Sequence, residues 1–194
     1  SYWSRARDAK QVFLEGASAP THNRDDLFSI NLRAGWNLIG NPYTVAIDWS
    51  HTKSTNGAVG DLKKYQNGVY TNNNQLGPFE GGWVFATQPV NDLKIRLSAP
   101  ASGGRIGQVG SNLADSDWEV PLIIRQGDRG SEIAGIGMRT NASTGVDAFD
   151  DFNPPSLATA VELKFSEKGQ PLAKHVVPSQ SAYVWEFVAL AEAT

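Results

Sequence analysis

Two groups of residues in this chain could carry chemistry. The first is acidic: Asp147, Asp150 and Asp151 lie together in "GVDAFDDFNPP". Carboxylates gathered in one loop could hold Ca2+, which takes roughly six to eight oxygens at adaptable geometry. Their spacing is not that of the EF-hand loop, D-x-[DN]-x-[DN]-G. The competing reading is turn chemistry, in which Asp accepts backbone N–H bonds and Pro154-Pro155 stiffens the entry to the next strand. Calcium is the one cofactor the residue types suggest, and otherwise none is expected. Asp115, Asp117 and Glu119 form a sparser acidic group.

The second group is aromatic. Trp36, Tyr43, Trp49, Tyr65, Tyr70 and Trp83 fall within one stretch of the first half. A sugar-binding face uses such rings to cover the apolar side of a pyranose, and amides to hold its hydroxyls. Asn37, Asn41, Asn67 and the run Asn72-Asn73-Asn74 could supply those amides. Apolar sequence neighbours place Trp36 and Trp83 in a core. Trp49, between Asp48 and Ser50, is the more partner-facing ring. Tyr65 and Tyr70, with Asn67 and Asn73 nearby, complete the candidate ligand-binding set. For Trp49 and Tyr70, edge packing without recognition is the equal alternative.

Other chemistry finds little support. The chain has no cysteine, which removes disulfides, thiol catalysis and Cys-based zinc sites. His22, His51 and His175 share no i, i+4 or His-x-His spacing. Neither Gly-x-Ser-x-Gly nor His-Glu-x-x-His occurs. "SGGRIGQVG" opens no helical pattern and lacks the Lys-Ser/Thr of a phosphate loop. Asp25 and Asp26 are adjacent, so on a strand they would point to opposite faces. The expectation is a non-catalytic chain.

These residues must be positioned by strands. Of 194 residues, 40% are apolar and only 19% charged, with 19 Gly and 10 Pro. That profile fits a loop-rich β protein of one large domain or two small ones. The net charge of −3 and the lack of a basic run give no footprint for nucleic acid. No apolar stretch approaches the roughly 18 residues of a membrane span. The single Met138 and the start at Ser1 suggest a piece of a longer chain, whose neighbouring domains are its first expected partners.

Along the chain, residues 1–16 could be a helix or an edge strand, and 17–26 a loop. Phe28, Ile30 and Leu32 alternate with polar residues, and Trp36–Gly40 forms a second short strand, together a hairpin or a corner. Asn41-Pro42 stops that strand. Asn67-Gly68 between Tyr65 and Tyr70 signals a hairpin. Trp83-Val84-Phe85 reads as a buried strand. Leu93, Ile95 and Leu97 alternate with Lys94 and Arg96. Residues 98–117 are small and polar, a connecting segment between an N-terminal β module (1–97) and a C-terminal one (118–194), which could pack as one domain. In the second half, Val161, Leu163 and Phe165 alternate with Glu162 and Lys164, and Tyr183, Trp185 and Phe187 with Val184, Glu186 and Val188. The fold expected is all-β, one or two antiparallel β-sandwich units of jelly-roll or immunoglobulin-like type.

"AGWNLIGNPY", "LKKYQNGVY" and "LGPFEGGWVFAT", in that order, resemble a pattern common in secreted and surface proteins of Bacteroidetes and related bacteria. There an Ile-Asp-Trp follows the first run, as Ile47-Asp48-Trp49 does here. Thr44 stands where a proline is usual, and Gly82-Trp83 where Gly-Phe-Phe is frequent. "NASTGVDAFDDFNPPS" and "YVWEFVAL" extend the resemblance, which covers roughly residues 27–190. Such regions often precede a C-terminal sorting domain read by the type 9 secretion system. The resemblance implies an exported module, extracellular or on the outer-membrane surface, in structural positioning, adhesion or contact with another surface protein. A module that tethers an enzyme or the cell to polysaccharide is the alternative.

Overall fold

The computed structural model describes residues 27–53, 58–96, 117–157 and 160–191. The expected N-terminal helix or strand, the loop at 17–26, Leu97 and nearly all of the connecting segment lie outside them. In chain order the elements are β1 (Ser29–Leu32), β2 (Gly35–Gly40), β3 (Ile47–Asp48), α1 (Trp49–Lys53), β4 (Lys63–Gln66), β5 (Val69–Asn72), β6 (Gln75–Leu76), β7 (Gly81–Ala86) and β8 (Val90–Lys94). The second half adds β9 (Trp118–Gln126), β10 (Arg129–Arg139), β11 (Asp151–Phe152), β12 (Glu162–Glu167), β13 (Gln170–Pro178) and β14 (Phe187–Leu190). The fold is all-β and sandwich-like.

The chain divides into two compact units, but not by a single cut. The first runs to Leu62, breaks off, and resumes at Asn73; the second takes Lys63–Asn72 together with the C-terminal half. The expected modules assigned that hairpin to the N-terminal half. Within the first unit the Asn73 N–H donates to the Leu62 carbonyl at 3.1 Å, closing the base of the excursion.

In the first unit β1 pairs antiparallel with β8, β2 with β7 and β3 with β6. Thus β1 and β2 meet at a corner rather than as a hairpin. β7 alternates strictly, with Gly82, Val84 and Ala86 buried and Trp83 and Phe85 half-exposed. Because β2 runs in register with it, Trp36 lies opposite Phe85 and Leu38 opposite Trp83, while Ile39 is buried. The continuous buried strand expected at 83–85, and the core places expected for Trp36 and Trp83, are corrected here. Period-2 geometry sends the small residues inward and the large rings to the other face. The core holds Leu32, Ile39, Ile47, Leu62, Leu76, Val84 and Ile95, with Trp49 among them. Full burial of each such aliphatic side chain contributes about 1.5–3 kcal/mol.

In the second unit β4 and β5 form the hairpin that Asn67-Gly68 signals. Both turn residues have positive φ, 52° and 83°, as a type I′ turn requires. β10 is the spine. β9 runs antiparallel along it, while its start is also paired with β5 and its end with β13, both in parallel. β13 then pairs antiparallel with β12, and β12 with β14. The sheet is therefore mixed, not purely antiparallel as expected. Glycines let β9 approach so closely: a Cβ on Gly137 would lie 2.7 Å from the Trp118 carbonyl oxygen. Phe165, Leu172, Leu163 and Ala134 form an apolar core, joined by the half-buried Leu122, Ile124, Ile136 and Trp185.

Two more expectations fail in this unit. Glu162 is buried beside Val161 and Leu163 instead of facing out. The strand expected from Tyr183 shrinks to Phe187–Leu190, with all four residues exposed, and Tyr183 is also exposed.

Candidate functional site

The run "GWNLIGNPY" is built from side chains that clamp backbone. Asn37 holds the β1–β2 corner: its Nδ2 donates to the carbonyls of Arg33 and Gly35 at 2.8 and 2.9 Å, and its Oδ1 accepts the Arg33 N–H. Asn41 does the same at the other end of β2. Its Nδ2 donates to the carbonyls of Val45 (2.8 Å), Leu76 (3.0 Å) and Gly77 (3.0 Å), and its Oδ1 accepts the Tyr43 N–H. The Asn41 N–H donates to the Glu80 carbonyl. Tyr43 is buried, its hydroxyl accepting from the Phe28 N–H and donating to the Ile95 carbonyl.

Trp49, expected to face a partner, is 0% exposed. Asp48 caps α1, accepting the Ser50 N–H at 2.9 Å, so the helix starts at Trp49. The Trp49 N–H then donates to the Asn74 carbonyl, and Nε1 to the Gly60 carbonyl at 3.1 Å. A buried indole N–H usually finds such an acceptor. Asn73 accepts the Gln75 N–H, an Asx turn leading into β6.

In the second unit Tyr70 is fully buried and its ring packs on Tyr65, centroids 4.7 Å apart. Its hydroxyl donates to the Pro155 carbonyl at 3.0 Å. Burial first, then the charge of Glu162, pushes that hydroxyl well above the ordinary phenol range, so it stays neutral. Tyr70 cannot offer a face to a sugar. Asn67 is exposed but spends its backbone on the turn. Of the five residues in the expected ligand set, the two best placed by sequence are core.

The three aspartates are likewise occupied. Asp147 accepts the N–H groups of Ser143 and Phe149. Asp150 accepts those of Asp147 and Val176. Burial raises the Asp150 pKa, and these two hydrogen bonds only partly counter it. Asp151 pairs with the buried Lys63 ammonium at 3.1 Å, which also donates to Asn72 Oδ1 at 2.7 Å. The carboxylates point to different partners, and among the described residues no three acidic or histidine side chains converge as a metal site. The turn reading accounts for the hydrogen bonds that Asp147 and Asp150 make in this loop.

Features missed by sequence reasoning stand out instead. Pro78-Phe79 forms the tip of a turn, where the Glu80 N–H donates to the Gly77 carbonyl and Glu80 Oε2 accepts the Gly77 N–H. Phe79 has φ 64° and is 94% exposed. Beside β2 in the same unit lies an open cleft of about 500 Å3, lined by Phe28, Ile30, Leu38, Ile39, Gly40 and Pro42 among others. In the second unit the edge strand β14 exposes Phe187, Val188 and Leu190, and Val184 before it is 82% exposed. Trp118, Trp185 and Tyr183 form a row with ring centroids 5.7 and 4.8 Å apart, each ring edge-on to the next. Gly77-Pro78 is a turn-forming pair, but nothing in a sequence states that a phenylalanine after it points outward.

Among the described residues no helix is long and apolar enough to cross a membrane. No protein-family profile, curated protein or solved structure matches this chain.

Proposed function

We propose that this chain is a non-catalytic β-sandwich module of an exported bacterial surface or secreted protein, which positions neighbouring domains or engages another surface protein. The observation that carries this reading is where the large apolar side chains lie. Trp49 and Tyr70, the rings best placed for a sugar, are core. Phe79, Val184, Phe187 and Val188 are left in solvent. Apolar groups exposed together at an edge strand mark a protein contact. The asparagines that would hold hydroxyls are engaged with backbone groups at Asn37, Asn41 and Asn73. The resemblance of "AGWNLIGNPY" and the runs that follow it supports export to the surface.

Protease shaving of intact cells making the parent protein tests the location. Peptides of this chain released without lysis are expected; release only after lysis would overturn it. Incubation with glycan and peptide substrates tests the chemistry, with no turnover expected.

Tethering to polysaccharide is the second reading, and the row Trp118, Trp185 and Tyr183 favours it. Adjacent rings stand at 70° and 65°, so they offer no flat platform, which ranks this reading second. Retardation in gels containing a polysaccharide panel, lost in Trp118→Ala, would reverse the ranking.

A further inference from the structure

β2 is the last strand of its sheet: β7 lies along one side, and among the described residues no strand lies along the other. One bond fixes the direction of its main-chain groups. The Asn41 N–H donates to the Glu80 carbonyl at 2.9 Å, and the register runs without a bulge from there to Gly35 opposite Ala86. Residues of an antiparallel pair alternate between bonded and non-bonded. Gly35, Asn37 and Ile39 therefore spend their N–H and C=O groups on β7, while Trp36, Leu38 and Gly40 turn theirs to the open side. The Phe85 carbonyl, opposite Trp36, obeys the same alternation: it faces away from β2 and accepts the Gly60 N–H at 2.8 Å. Among the described residues nothing pairs with the outward groups of Trp36, Leu38 and Gly40.

The open side is the cleft beside β2. Leu38 and Gly40 line it, no charged residue does, and its surface is more polar than apolar. Two of its three asparagines are committed, since Asn37 and Asn41 clamp backbone carbonyls. Asn31 accepts the Asp92 N–H through Oδ1, which leaves its Nδ2 without a partner among the described residues. The polarity on offer is thus largely main-chain, in N–H and C=O pairs that recur every ~6.8 Å along β2. An extended polypeptide has that same repeat; a sugar or a lipid does not. Phe28, 40% exposed, and the half-buried Ile30 can seat alternate side chains of such a guest. Strands that must stay unpaired carry charge, proline or a bulge, and Gly35–Gly40 carries none of these. Arg33, exposed at the corner before Gly35, has no ion pair among the described residues.

We propose that the β2 edge takes an extended strand of another protein, added antiparallel in the cleft and bonded to the main chain of Trp36, Leu38 and Gly40. The guest segment is uncharged along its paired length, apolar at every second residue toward Phe28 and Ile30, and acidic at the C-terminal end that meets Arg33. This rests on reading the chain as an interaction module and names the chemistry it engages. A few main-chain bonds in a small interface hold a free peptide weakly, with Kd on the order of 0.5 mM.

Amide hydrogen exchange of the whole chain, resolved residue by residue by NMR, is the test. The probe is an acetylated, amidated heptapeptide of alternating threonine and valine ending in aspartate. In the free chain the N–H groups of Asn37 and Ile39 should exchange slowly and those of Trp36, Leu38 and Gly40 fast. Peptide at about 2 mM should slow the second set about fivefold and leave the first unchanged. The same peptide N-methylated at alternate residues, which removes its pairing donors, should slow nothing. Arg33→Glu, at an exposed corner outside both cores, should weaken the parent peptide about threefold. Outward N–H groups already slow in the free chain would mean that its own residues cover the edge, and slowing only as the chain is concentrated would mean a second copy; either overturns the proposal. So would an unmethylated peptide without effect, or a methylated one that acts equally. Shaving of cells is read separately, so failure here leaves the surface-module reading standing.

Discussion

Replacing Asn41 by alanine removes the clamp between the loop after β2 and the turn before β7. The Asn41 amide has two N–H groups, shared among the Val45, Leu76 and Gly77 carbonyls, and one oxygen that accepts from Tyr43. That amounts to three full hydrogen bonds, each contributing about 0.5–1.5 kcal/mol net. Val45's bond is exposed and the others partly buried, so water replaces some of the loss. The expected destabilisation is about 2 kcal/mol. For a chain of this size that is a fall in Tm of roughly 4–8 °C. Asn41→Asp keeps the acceptor for Tyr43 but sets a carboxylate oxygen against three carbonyls, so it should cost about as much as alanine or more, on the order of 2 kcal/mol. Asn37→Ala, whose bonds to Arg33 are exposed, should cost about 1 kcal/mol. Urea unfolding followed by circular dichroism measures all three. An Asn41→Ala value within about 0.5 kcal/mol of the parent, or an aspartate variant as stable as the parent, would refute the clamp.

The buried Lys63–Asp151 pair predicts an asymmetry: Asp151→Ala leaves an ammonium in the interior with only Asn72, at about 3 kcal/mol, and Lys63→Met should cost clearly less; equal losses in urea unfolding would contradict it. Acid should erode the ion triad of Glu119. Burial works against its charge, but Lys174 and Arg139 outweigh that and hold its pKa below 4.5, so its stabilisation is present above that value and is lost as pH falls through the depressed one. Glu119→Gln should therefore lower Tm near neutrality and converge with the parent in acid. Asp150 runs the other way, since its raised pKa gives stabilisation that is present below 3.8 and lost as pH rises through the raised value. A fragment of residues 118–194 lacks β5, Tyr70 and Lys63, so it should show no cooperative melting transition; a sigmoidal melt would show that the hairpin is dispensable.

Most of the strands were legible because period-2 patterning records burial directly: Leu93 and Ile95 are buried, Lys94 and Arg96 exposed. Asn67-Gly68 was legible because few dipeptides tolerate two successive positive φ angles. What patterning could not give was the partner of each strand. The parallel pairing of β5 with β10 depends on residues far apart in the chain, and nothing local announces it. The aromatic side chains misled for a related reason. Trp83 has apolar neighbours, yet alternation turns it to the half-exposed face, whereas Trp49 sits between polar residues but begins a helical turn capped by Asp48. Glu162 was misread because Asn153, Ser156 and Lys164 all gather on its Oε2, which the alternating pattern does not reveal.

The candidate site was legible least, and the reason is chemical. In a loop-rich β chain, asparagine and aspartate satisfy backbone groups that strands leave over at corners and turns. Asn37, Asn41, Asp48, Asp147 and Asp150 all do so here. The residues that look most like ligands are thus those with the strongest internal employment. A side chain available to a partner is better sought among groups that the fold holds at a disadvantage: a ring at positive φ in solvent, or an apolar edge strand exposed along its length. Phe79 and β14 meet that criterion, Trp49 and Tyr70 do not. The same criterion makes Phe79→Gly decisive. A residue kept for folding loses stability when removed, whereas one kept for a partner frees the strain of about 1 kcal/mol that it imposed. A lower melting temperature for Phe79→Gly would place that ring among the folding residues and refute the reading of Phe79 as held at a disadvantage.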